Sequence, residues 1–550
     1  MRKRCIDPII RWSHRLICVS LGCLLILAGC GGQEAASPSP TPSASQSEAA
    51  PVSGGSMTIV MPNNATLKPL ETTQRELVDL FSLIYDSPLQ YDDALRLQPN
   101  VVERWSMSED GLTWTFVLRK DVTYHNGQTV KAKDIVACIN ELKKIEEDEN
   151  RDSIYAVNMD LIASAAAVDD TTFTITATQK TNRVLAALVF PIIPDTTIGT
   201  SLPTGCGPYK VVSNDSGKVL ELEANDSWWK RTPYLSKITV KGIQDPDTAL
   251  TSMDVNLVDL VHTDSLTASG YKQPGSRDVY EVMTQEYECI IPNLQNAKMQ
   301  DVQMRQAIIA ALDRKTIITE TYLWHAVTVD APMPPDSYYY DQTQQQQHEY
   351  NPGKATTLLG ELGYRDSDGD GFLDKNGEKL TMNIIVNENT LSSARADAAK
   401  VAAQQLQKIG IDATVTVMTW SDYQIALQNG NFDLAFAGFS IPKDGDVSFL
   451  LHSTRGTYNY GRYTSATMDS YLDELAAATT EEEVKAASSK VQHLWSDELP
   501  VISLYFKTNS VVCSAKIKGI PTMRDMDIFK DIDQWYILQQ GDENKANAPE

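Results

Sequence analysis

The stretch ARADAAKVAAQQLQKIGIDATVTVM, Ala394 to Met418, most constrains the fold. It reads as a helix, a glycine stop at Gly410 and a strand, so helix must pack on sheet and the class is α/β. Other segments carry the same mixture. GLTWTFVLRKDVTYHNG, Gly111 to Gly127, alternates around aromatic and β-branched residues and ends on Asn-Gly, which predicts strand, turn and strand. VKAKDIVACINELKKI, Val130 to Ile145, spaces Ile135, Cys138, Ile139 and Leu142 as one helix face. MRQAIIAALDRKTIITETYL, Met304 to Leu323, predicts a second amphipathic helix. No repeat recurs, and the body from Met57 to Glu550 is too long for one core, so two or three subdomains are expected.

The first residues are basic (Arg2, Lys3, Arg4, Arg11, Arg15), and Leu16 to Ile26 is nearly continuous apolar sequence. This is the layout of an export signal, and the run is shorter than the roughly 20 residues of a membrane span. It ends on Leu27-Ala28-Gly29-Cys30, which resembles a bacterial lipobox. The resemblance implies cleavage after residue 29 and acylation of Cys30. Residues 30–56, with SPSPTPSASQSEAAPVSGGS, have too little apolar content to fold and are expected to form a disordered tether from a membrane surface. Dual acylation suffices for stable anchoring.

The formal net charge is −24, and the leader carries five Lys or Arg against one Asp, so the remainder is more acidic still. Such a field disfavours nucleic acid and anionic membrane as partners. Cys138, Cys206, Cys289 and Cys513 lie far apart without CxxC spacing, which argues against zinc and leaves both disulfides and scattered buried thiols open. The histidines show no HxxxH or HExxH spacing, and neither a GxSxG elbow nor a GxxxxGK loop occurs. Nothing here demands an enzyme. A surface hydrolase or adhesin is the competing class.

A series of colinear blocks then narrows the choice. VVERWSMSEDGLTWTFVLRKDVTYHNGQTVKAKDIVACI (Val101–Ile139) is followed by PTGCGPYKV (Pro203–Val211), NDSWWKRTPYLSKI (Asn225–Ile238) and DVQMRQAIIAALDRKTI (Asp301–Ile317). YNPGKATTLLGELGY (Tyr350–Tyr364), LQKIGIDATV (Leu406–Val415), NFDLAFAGF (Asn431–Phe439) and ELPVISLYF (Glu498–Phe506) complete it. In this order they resemble the family 5 extracellular solute-binding proteins of ABC importers, the oligopeptide, dipeptide and nickel binders. The resemblance implies a two-lobed periplasmic-binding-protein-like fold of the large, three-subdomain type. Lobe I would take residues 57–85, 202–287 and 507–550, with an extra subdomain at 86–201. Lobe II would take 288–506, with a hinge near Cys289–Pro292 and Leu504–Phe506. The implied function is that of a lipid-anchored, monomeric receptor on the outer face of the cell membrane, passing a solute to permease subunits. That solute is expected to be an oligopeptide, with an oligosaccharide or metal chelate as the alternative.

Binding residues carry over position by position. Trp420 occupies the place of a tryptophan that opens the helix before the G-x-F-D strand in peptide-binding relatives. Phe439 and Ser440 follow that strand, and Tyr155 lies in the segment expected to face the cleft. The relatives' aspartate for a peptide ammonium falls on Pro442 in FSIPKDGDV (Phe439–Val447), which leaves Asp444 or Asp446 as substitutes. Trp228 and Trp229 are expected in the core, and Tyr338, Tyr339 and Tyr340 with Gln344 to Gln347 in an exposed connection.

DSDGDGFLD, Asp366 to Asp374, spaces Asp366, Asp368 and Asp370 as the start of an EF-hand loop, with Asp374 a further candidate ligand. Position twelve is Gly377 instead of glutamate, and the exit reads as turn and strand. No cofactor is expected beyond a structural calcium at this hairpin tip.

Overall fold

A computed structural model describes residues 51–538 apart from 63–65, 216–217 and 390–391. The leader 1–29, Cys30 and the tether up to residue 50 lie outside the described residues. The body begins to pair immediately after: the Gly54 N–H donates to the Tyr234 carbonyl at 2.7 Å, and strand Ser56–Met61 follows. Among the described residues no helix is long and apolar enough to cross a membrane.

Among the described residues one eleven-stranded sheet runs through the body. At the lobe II end Thr381–Asn387 pairs in parallel with both Asp412–Met418 and Leu434–Ser440. At the lobe I end Ser56–Met61 pairs in parallel with Lys237–Gly242 and Leu260–Thr263, and the hairpin Tyr209–Asp215 with Val219–Ala224 closes the edge. The ends are joined by two long antiparallel strands, Arg277–Pro292 and Ile502–Ser514. Thr263 pairs with Ser510 on the lobe I side, and Cys289 with Ala437 on the lobe II side. Between them the register shifts twice, at Met283–Tyr287 and at Glu288–Cys289. There the ladder is interrupted, as at a β-bulge, and the pair can bend. These shifts lie just before Cys289–Pro292 in the first strand.

Separate apolar cores lie on the two sides. The lobe I core continues into the extra subdomain, where the four-stranded sheet orders Val102–Met107, Thr113–Leu118, Thr172–Ala177 and Ile162–Ala167. Trp114 and Phe116 point inward on alternate positions, and Phe116 stacks on Phe173 with centroids 4.8 Å apart. Helix Ala132–Glu147 lays Ile135, Cys138, Ile139 and Leu142 against this sheet, as its spacing predicts. Lobe II has a core on each face of its sheet, one under the alanine-rich helix Ala394–Gln407 and one around Tyr287, Tyr423 and Trp495.

Three local readings are corrected. The strand expected after Lys120 reduces to a single bridge, Thr123 to Thr129, around the Asn126-Gly127 turn. The helix expected over Met304–Leu323 is two, Val302–Ala311 and Arg314–Thr321, because the Asp313 side chain accepts the Thr316 N–H at 3.1 Å and caps a fresh start. Tyr339, Tyr340 and Gln344 are buried against expectation, whereas Gln345, Gln346 and Gln347 are exposed. The helix–glycine–strand unit forms as read, with Gly410 at φ +86° between Gln407 and Asp412. All four described cysteines are free, buried thiols. The glycines of PTGCGPYKV also gain a reason: a Cβ on Gly205 would meet the Ile84 carbonyl oxygen at 2.0 Å, so only glycine lets this turn dock on helix Arg75–Ile84.

Candidate functional site

The cleft lies where the C-terminal ends of the parallel strands in both lobes face each other, the usual ligand position in an open α/β sheet. On the lobe I side, helix Arg75–Ile84 begins at the cleft and carries Arg75 and Asp79. Arg75 is paired with Asp525 and reaches across to the Ser440 hydroxyl at 3.3 Å. Asp79 is buried, accepts the Ile528 N–H at 3.1 Å, and stands 3.3 Å from His262 Nδ1. Burial works to lower the His262 pKa, but the Asp79 carboxylate, with Asp525 and Glu76 beyond it, outweighs burial and raises it. Arg75, Asp79 and His262, with Glu286 and Lys507 from the crossing strands, line a cavity of about 190 Å³.

On the lobe II side, buried Glu288 and half-buried Arg395 form a bidentate pair at 2.6 and 2.7 Å, and Arg395 also donates to Asn387 at 3.0 Å. Burial alone would lower the Arg395 pKa; the Glu288 carboxylate reverses this and raises it. Strand Leu434–Ser440 passes close beneath this pair at Gly438 and leads into the loop Pro442–Val447.

That loop meets the extra subdomain. Arg183 donates from Nε to Asp444 and from Nη1 to Asp446, both at 2.9 Å, while Asn158 donates to Asp444 at 2.8 Å. Burial pushes the Asp444 carboxyl up, but Arg183 and Asn158 more than reverse it and hold it below the usual carboxylate value. The remaining oxygens accept backbone N–H groups, Asp444 from Asp446 at 3.0 Å and Asp446 from Ser448 at 2.9 Å. Further lobe-to-lobe contacts join Asn182 N–H to the Ala478 carbonyl at 2.8 Å, Arg96 to Glu481 at 3.2 Å and Arg524 to Asp336 at 2.7 Å. The lobes are thus held together in this structure.

Two more cavities, of about 180 and 190 Å³, follow. One shares Phe529 with the first and is lined by Tyr155, Trp228 and Asp527; the other is lined by Arg183 and Asp444. Tyr91, Leu95 and Lys443 line both of these. Burial raises the Asp527 pKa to about 7 against the pull of Lys443 and Lys530.

The residues expected to bind are therefore dispersed. Tyr155 lines a cavity. Ser440 touches Arg75 across the cleft, and Phe439 packs edge-on against Phe449 at 6.2 Å. Trp420 is exposed at the head of helix Trp420–Asn429, stacked loosely on Tyr423, and lines none of the three cavities. Asp444 and Asp446, read as substitutes for an ammonium-binding aspartate, spend all four oxygens on Arg183, Asn158 and backbone N–H groups. Trp228 is buried and Trp229 half-buried; both indoles donate to Asp86 at 2.9 Å. At the acidic hairpin, carboxylate oxygens of Asp366, Asp368 and Asp370 lie within 4.8 Å of one another. Asp374 stands apart from them, accepting from the Ser367 N–H and hydroxyl, and Lys379 already pairs with Asp370. Sequence reasoning missed Arg75, Arg183, His262, Arg395 and Lys443, because each gains its role from a partner remote along the chain.

The chain matches the sequence profile of the bacterial extracellular solute-binding proteins, family 5 Middle, over residues 96–461. It is 24% identical to the oligopeptide-binding protein AppA of Bacillus subtilis over 94% of this chain and 97% of that one. The structure of AppA with a nonapeptide superimposes with a TM-score of 0.63 at 22% identity, covering 89% of this chain and 100% of that one. A nickel ABC transporter structure from Bacillus halodurans gives 0.76 at 21% identity, covering 88% and 99%. The chain belongs to the family 5 bacterial extracellular solute-binding proteins, two-lobed receptors that capture solutes for ABC importers and are not enzymes.

Proposed function

We propose that the chain is exported, acylated at Cys30 and held on the outer face of the cell membrane, where as a monomer it encloses an oligopeptide between its lobes and delivers it to the importer's permease. The observation that carries the peptide reading is a series of three cavities, the first sharing Phe529 with the second and the second sharing Tyr91, Leu95 and Lys443 with the third, which suits an extended solute better than a compact one. Similarity to AppA over nearly the whole chain supports the same reading. Closure would follow from a solute that touches both lobes and so favours the closed state.

The test is thermal stability against a panel of peptides of two to ten residues, a nickel–histidine chelate, hemin and a trisaccharide. A true solute at a hundred times its Kd stabilises by about 2.7 kcal/mol. Peptides are expected to raise Tm; a shift with another class and none with peptides overturns the peptide reading. Anchoring is tested with Cys30→Ser, which is expected to release the protein into the medium.

A further inference from the structure

The loop Pro442–Val447 sends its side chains in two directions. Asp444 and Asp446 turn to the extra subdomain and are fully used by Arg183, Asn158 and backbone N–H groups. Lys443 turns into lobe I and stands where two of the cavities meet. Its ammonium has one long contact, 3.5 Å to the Asp525 carbonyl oxygen, and lies 5.4 Å from the Tyr91 ring centre. Among the described residues no carboxylate oxygen lies within 4 Å of it, although Asp527, Asp525 and Asp79 are near enough to be felt. Asp525 is paired with Arg75, and Asp79 faces His262.

An ammonium partly withdrawn from water without an ionic partner is costly, and burial lowers the Lys443 pKa accordingly. A carboxylate entering from either cavity would supply the missing partner; a neutral amide would supply only a weaker acceptor. The loop that offers acid to a solute ammonium in peptide-binding relatives therefore offers a cation here. We propose that Lys443 binds a carboxylate of the solute, so that this receptor selects peptides with a free C-terminal carboxylate and tolerates a blocked amine. This rests on reading the cleft as the peptide site.

The experiment measures affinities of trialanine, N-acetyl-trialanine, trialaninamide and glutarate for the wild type and for Lys443→Met, an apolar replacement of similar length. Trialanine and its acetylated form are expected to bind alike, and the amide roughly 10- to 100-fold more weakly, the range of a charge-assisted hydrogen bond. Lys443→Met should erase the acid-over-amide preference and raise the Tm of the unliganded protein, because it removes a half-buried charge that has no ion-pair partner within 4 Å among the described residues. Equal binding of acid and amide by the wild type overturns the proposal and leaves the peptide reading standing, and needs no variant to be seen. A preference that survives in Lys443→Met overturns it as well. Glutarate binding that depends on Lys443, with no peptide bound, supports the subsite and removes the peptide reading. Failure of all four probes overturns the proposal, and the peptide reading then rests on the wider thermal panel.

Discussion

Gly438 fixes how close the lobe II sheet can come to its ion pair. A Cβ at this position would sit 2.1 Å from Arg395 Nη2 and 2.6 Å from Glu288 Oε1. Gly438→Ala must therefore drive the guanidinium away from a carboxylate that stays buried. The expected cost is about 3 kcal/mol in urea unfolding, the lower end for breaking a buried pair; a change under about 0.5 kcal/mol would mean the pair reforms beside the methyl group. His262 gives a pH signature. Its folded pKa is raised, so the stability it contributes is complete below about pH 6.5 and is lost as pH rises through the folded value. The stability gap between wild type and His262→Gln is expected to shrink as pH is raised from 5 to 9; a constant gap would assign His262 to packing alone. At this scale the sequence was informative about backbone and poor about partners. Gly438 stands in the recognised block NFDLAFAGF, but nothing in that block points to Arg395, which arrives from helix Ala394–Gln407, a strand and a helix earlier in the chain.

Elements were legible wherever one short pattern decides them. The Ala394–Met418 unit formed because its apolar face, its αL glycine and its strand alternation agree. The helix read over Met304–Leu323 was too long because apolar spacing continues across Asp313, whose capping bond outweighs it. The acidic hairpin was legible as a turn: Asp374–Lys375 pairs with Glu378–Lys379 around Asn376 and Gly377, both at positive φ. Its expected calcium response is confined to the element. Millimolar calcium should slow amide exchange within 366–371, more strongly in Lys379→Ala, where the competing ammonium is gone, and leave peptide affinity unchanged. Unaltered exchange in both proteins would remove calcium from this hairpin.

At the scale of the molecule, colinear blocks were enough to recognise two lobes, whereas the contacts holding them together were not readable. Arg183 and Asp444 are 261 residues apart, and no local pattern marks them as partners. Their geometry predicts a clasp. Arg183→Met would leave two largely buried carboxylates facing the extra subdomain without their cation, and opening the cleft is the relief available. The unliganded variant is expected to show a larger radius of gyration by X-ray scattering and a weaker affinity for any solute, with both lobes still folded by circular dichroism. An unchanged radius would show that the other lobe-to-lobe contacts suffice.

The two crossing strands also bear on how the chain is made. The lobe I sheet begins with Ser56, yet its strand Leu260–Thr263 is flanked by Ser510–Cys513, so that sheet is incomplete until strand Ile502–Ser514 has been synthesised. Pairings so distant along the chain form slowly and late. Under the export proposed above, that delay would keep the nascent polypeptide loose while it is threaded across the membrane, and reserve its final shape for the far side.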